Sequence, residues 1–159
     1  MSQTTLDIKE PGLNVLPPGV ERHVVNAGGL TGLQIFPDDE IEIINEEGNQ
    51  ICEIICFDKD GKSELGILNQ KENCKKSFIK ELLKSKDESS LITNLQLKKR
   101  NLDINKSKSS ILFDEQTPSG EKIKIKSKDK CYVIFAAPQN DMLVSEQNPS
   151  SELTLFIKR

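Results

Sequence analysis

Four cysteines, a single histidine and two closely spaced aspartates are the side chains of this sequence whose types could support chemistry. The cysteines are Cys52, Cys56, Cys74 and Cys131. As thiolates they would be nucleophiles or soft metal ligands. Cys52 and Cys56 stand four apart in an apolar run, Ile51 to Phe57. On a strand that spacing puts both on one face about 13 Å apart, too far for a disulfide or for one shared zinc ion. The residues by themselves read as small apolar core positions. His23 lies beside Arg22 and reads as a surface residue, since a two-histidine metal site needs a second copy. Asp58, Asp60 and Gly61 begin like a calcium loop but lack its third acidic position and its downstream glutamate in register, so they form a turn. Gly28, Gly29 and Gly32 are not followed by the Gly-Lys-Ser/Thr of a phosphate loop. The first two are expected to supply positive φ angles before a strand. No spacing pairs two carboxylates as acid and base, so the residues name no catalytic group.

The elements that must hold these side chains fit one domain, because 159 residues can bury a single core. The net charge is -3 and the pI about 5.3, which excludes the basic footprint of a nucleic-acid-binding domain. Lysine far outnumbers arginine, which occurs only as Arg22, Arg100 and Arg159. The longest uncharged apolar run covers 132–137, far short of a membrane helix. Residues 1–7 carry neither the basic nor the apolar region of a secretory signal, so a cytoplasmic protein is expected.

Residues 1–22 hold Pro11, Pro17 and Pro18 without sustained periodicity, and read as an extended arm ahead of a single β-rich domain over 23–159. Strands are expected over 33–36, 40–44, 50–57, 91–97, 110–113, 121–126, 131–136 and 153–157. The turn at 45–48 is expected to close a hairpin between the second and third of these. Cys131–Ala136 is apolar throughout and should lie centrally. Lys122, Lys124 and Lys126 alternate along a strand and suggest a solvated face or guarded edge. Residues 72–86 place Cys74, Phe78, Ile79, Leu82 and Leu83 on one helical stripe, with Asn69 or Asn73 as its cap. The expected fold class is therefore mainly β: a β-sandwich or small barrel of about 7–9 short strands with one amphipathic helix.

One stretch carries more than pattern. Residues 29–50, from Gly29-Leu-Thr-Gly through Pro37-Asp-Asp to Glu47-Gly-Asn-Gln50, lead into an apolar strand in a way that resembles the urea carboxylase-associated domain family. Asn73-Cys74 resembles that family's Asn-Cys before its helix. Tyr132 to Gln139, Asn148-Pro149 and the strand 153–157 are similar to its C-terminal portion. The lead-in Leu16-Pro-Pro-Gly-Val-Glu-Arg-His23 looks most like chains in which the domain is fused to a folate-binding, aminomethyltransferase-like domain of the glycine-cleavage T protein type. Demethylases of trimethylamine N-oxide are such fusions.

The resemblance implies a thiolate-bound zinc site, yet only Cys74 matches a ligand position, and Ala137 stands where a cysteine is expected before Pro138-Gln139. It therefore implies a non-catalytic, degenerate domain or subunit of a folate-dependent one-carbon system, serving assembly or small-molecule binding. No metal and no catalytic residue are expected, and folate enters only through a partner domain or subunit. The alternative is a zinc-dependent lyase or demethylase of small methylated amines that uses Cys56, Cys74 and Cys131. A third reading is a binding module, with a mouth near Gly29 and Asn49 for a small methylated amine.

Overall fold

Alternating apolar and charged residues give one-sided strands, and the chain has enough of them to build two sheets and bury a layer between. The computed structural model describes residues 16–74, 77–114, 116–139 and 150–159. It contains eight strands: β1 Val20–Val25, β2 Leu30–Ile35, β3 Glu40–Asn45, β4 Cys52–Asp58, β5 Ser109–Phe113, β6 Glu121–Lys126, β7 Cys131–Ala136 and β8 Leu153–Lys158. They form two antiparallel four-stranded sheets. Sheet A has the order β1-β8-β3-β6 and sheet B the order β2-β7-β4-β5. Neither closes into a barrel, so the sandwich is the realised alternative.

The inner faces meet in one apolar layer. Ile41, Ile43, Ile125, Leu153, Leu155 and Ile157 of sheet A face Ile35, Cys52, Ile54, Cys56, Val133 and Phe135 of sheet B. A 3-10 turn, Leu65–Leu68, adds Leu65, Ile67 and Leu68 at one margin. The expected positions of β7 and β6 hold: β7 is an interior strand buried along its whole length, while β6 is the edge of sheet A with Lys122, Lys124 and Lys126 exposed.

Four expectations are corrected. β3 and β4 are not a hairpin, because the turn after Asn45 carries the chain from sheet A to sheet B. Gly48 and Asn49 both adopt positive φ there, and a Cβ on Gly48 would meet the backbone of Ser119 and Thr117. Of the glycines before β2, Gly28 has a positive φ and Gly29 does not. The helix expected over 72–86 is only α1, Phe78–Leu82. Its cap is Ser77, whose Oγ accepts from the Lys80 N–H, whereas Asn69 ends the 3-10 turn in the left-handed region and Asn73 docks on the β5 backbone at Ile111. Residues 91–97 are not a strand but part of a longer helix, α2, Glu88–Lys99. The physical reason is local: Ser90, Thr93 and Leu97 recur at helical spacing and are the buried set, while Leu91, Ile92 and Leu95 face outward.

The arm also differs at its end, since residues 20–22 already belong to β1; residues 1–15 lie outside the described residues. α1 and α2 pack on the outer face of sheet B. Ile79, Leu83 and Leu97 join Leu30, Ile55, Phe57, Tyr132 and Ile134 in a second apolar cluster.

Candidate functional site

The cysteines fall into two settings. Cys52 and Cys56 occupy the inner face of β4, as their spacing required, and Cys131 enters the same layer from β7. The hydrogen bond with Cys131, together with burial, pushes the Cys56 thiol far above its ordinary range. Its neighbour Cys131 is held down by that same bond, with Ser127 Oγ 3.6 Å away. Burial also raises Cys52. Buried between the sheets, these side chains pack in the apolar layer. Cys74 lies elsewhere, half-buried and bridged to Ser109 on the outer strand β5.

Cys56, Cys74 and Cys131 thus do not converge, and among the described residues no three of His, Cys, Asp and Glu are grouped to hold a metal ion. Ala137, where the resemblance requires a ligand, is fully buried in the inter-sheet layer. The donor set present does not fit a zinc site that needs about three protein ligands. His23 stands on β1, 3.1 Å from Glu21 Oε1, at the surface. Asp58 organises its turn by accepting from the Asp60 and Lys62 N–H groups. Gly29 and Asn49 do come to one end of the sandwich, but the side chain of Gln50 is buried there, donating to Pro138 O and accepting from Ser151 N–H. Asn148 and Pro149 lie outside the described residues.

Two arrangements escaped sequence reasoning. The first is Glu53, a fully buried side chain at the second position of β4. It accepts from Ser77 Oγ at 2.7 Å, Phe78 N–H at 2.7 Å and Ile79 N–H at 3.0 Å. A strand residue therefore caps a helix that starts 25 positions later, and with its oxygens so engaged it holds structure together instead of offering a base. The signal was the one charge inside an otherwise apolar run.

The second lies at the other end of α2. Arg100 caps the helix, its Nη1 donates to Gln34 Oε1 at 2.8 Å, and its guanidinium stacks 4.4 Å above the Tyr132 ring. Gln34 is itself fixed by donating to Cys131 O at 2.8 Å. Tyr132 crosses flat over β2, where a Cβ on Gly32 would collide with its hydroxyl. These groups line a cavity of about 260 Å³ together with Asp58, Lys59, Asp60 and Lys130.

The fold and these sites define a two-sheet β domain with no assembled metal centre among its described residues. No family model matches the chain. It is similar to a trimethylamine-oxide aldolase of Ruegeria pomeroyi, 34% identical over 152 residues. The alignment covers 96% of this chain but only 19% of that enzyme, so the chain spans about a fifth of its relative's length. No helix among the described residues is long and apolar enough to cross a membrane.

Proposed function

We propose that this chain is a non-catalytic β domain of a folate-dependent system that handles small methylated amines. It would act as a module or subunit that assembles with a larger catalytic partner carrying an aminomethyltransferase-like folate domain. The observation that carries the reading is the match of nearly the whole chain to one fifth of a trimethylamine-oxide aldolase. The placement of the thiols supports the non-catalytic part, because polarising an N-oxide oxygen by a Lewis acid needs a coordinated metal, and among the described residues Cys74 stands apart from the buried Cys56–Cys131 pair. The family relation to urea carboxylase-associated domains and a cytoplasmic location belong to the same reading.

The test is metal content and formaldehyde release on reduced, untagged protein given trimethylamine N-oxide. Substoichiometric zinc and no formaldehyde above the protein-free rate are expected. One zinc per chain, with formaldehyde release lost in Cys74→Ser, would establish the zinc-dependent lyase instead.

A further inference from the structure

Among the described residues Arg100 is held in place without a carboxylate. Its two fixed contacts are a neutral amide oxygen, Gln34 Oε1, and the face of an aromatic ring, Tyr132. Neither cancels the positive charge, and both restrict the guanidinium to one plane. Around it, Lys59 and Lys130 bring two further cations to the same cavity. On the acidic side, Asp58 spends Oδ1 on two backbone N–H groups of its own turn, which leaves Asp60 as the other carboxylate of the lining. The cavity therefore carries a modest positive excess around a pre-oriented planar donor.

The walls come from four separate elements: the edge strand β2, the turn after β4, the end of α2 and the start of β7. Asn101, in the left-handed conformation at φ 57°, turns the chain so that Leu102 returns to the sheet and Arg100 stays at the cavity. Tyr132 is only 5% exposed, and its ring forms the floor.

We propose that this cavity is a binding site for a small carboxylate, with Arg100 as its principal recognition residue and Lys130 as a supporting charge. A guanidinium prefers planar oxyanions that it can meet with two parallel N–H groups, and Nε and Nη2 are not used by Gln34. The two aspartates on the lining make a dianionic phosphate less suitable than a singly charged carboxylate. The site is independent of whether the chain has a catalytic partner, so it stands or falls separately from the function proposed above.

The sequence supplies its own reporter. Tyr132 is the only tyrosine and there is no tryptophan, so intrinsic tyrosine emission reads the floor of this cavity alone. Titrating the full chain with propionate at constant ionic strength should give a saturable change in that emission, with half-saturation at roughly millimolar concentration. Arg100→Gln should weaken it at least tenfold, Lys130→Gln about threefold, and the distant Lys84→Gln not at all. Inorganic phosphate at the same ionic strength should compete poorly. In the unsubstituted protein, amide shifts on propionate addition should cluster at Gln34, 58–61, 100–102 and 130–132, a readout that does not depend on any variant folding. A linear, non-saturating response, shifts away from these segments, or phosphate binding tighter than propionate would overturn the proposal.

Discussion

The two sheets have the same number of strands and share one core, but their outer faces have opposite fates. Among the described residues no helix covers the outer face of sheet A, where Glu42 on β3 lies near Lys124 on β6 at 3.9 Å and the lysines of β6 stand in solvent. The outer face of sheet B is roofed by α1 and α2 and is nearly as apolar as the inter-sheet layer. A sheet with one dry face tolerates alternating charge; a sheet with two dry faces must be apolar throughout, as β7 is. The four cysteines, Glu53 and the Arg100 cavity all sit on or beneath sheet B, whereas His23 stands on β1 of sheet A.

Thiol labelling gives the largest contrast. Cys52, Cys56 and Cys131 lie between the sheets and should react only through global opening, at least about a thousandfold slower than Cys74 at the edge. Comparable rates for all four, measured with a chromogenic disulfide at neutral pH, would mean that sheet B is not sealed on its inner side.

The roof itself hangs on Glu53. Glu53→Ala strands two backbone N–H groups and the Ser77 hydroxyl, and should cost about 3 kcal/mol in urea unfolding. Glu53→Gln keeps one acceptor oxygen and should cost less. An open-face control, Lys124→Gln, should stay within about 0.5 kcal/mol.

The register of α2 is checked by two leucines two positions apart. Leu97 is 5% exposed and Leu95 66%. Leu97→Ala should cost about 2 kcal/mol and Leu95→Ala almost nothing. Comparable costs at the two positions would restore the strand that alternation suggested, because residues two apart on a strand share a face.

The smallest effect belongs to sheet A and to pH. Hydrogen bonds from His23 and then Arg159 hold the Glu21 carboxyl below its ordinary value of 4.5. A carboxyl lowered in the folded state contributes fully above 4.5 and loses that contribution as pH falls through the lowered value. Glu21→Gln should therefore lower stability slightly at neutral pH, where that contribution is fully present, and change nothing well below the lowered value, which flattens the acid limb of the stability profile.

The sandwich was legible because its evidence is local: β3, β6, β7 and β8 alternate or run apolar within six residues each. Which sheet each strand joins was not, since the turn at Gly48–Asn49 looks like a hairpin until Ser119 and Thr117 are seen packed against it. α2 was misread because Leu91, Ile92 and Leu95 draw the eye to alternation, while its buried face is Ser90, Thr93 and Leu97, partly polar and paid in hydrogen bonds to Leu82 O and Ser89 O. The cysteine spacing did predict that Cys52 and Cys56 share a buried face. The Arg100 cavity was illegible, because it joins residues 34, 58–61, 100–102 and 130–132 by tertiary approach.

β8 lies inside sheet A, between β1 and β3, although it is the last of the eight described strands in sequence order. During synthesis β1 is made before the other seven described strands and gains its described neighbour in the sheet only when residues 153–158 emerge. Sheet B, by contrast, has all four strands once residue 136 is available. The nascent polypeptide therefore passes through a stage in which sheet B is complete while sheet A has only β3 and β6 paired to each other, so part of the apolar inner face waits uncovered. Uncovered apolar sheet surface favours aggregation, so slow translation between residues 136 and 158 lengthens the interval of risk.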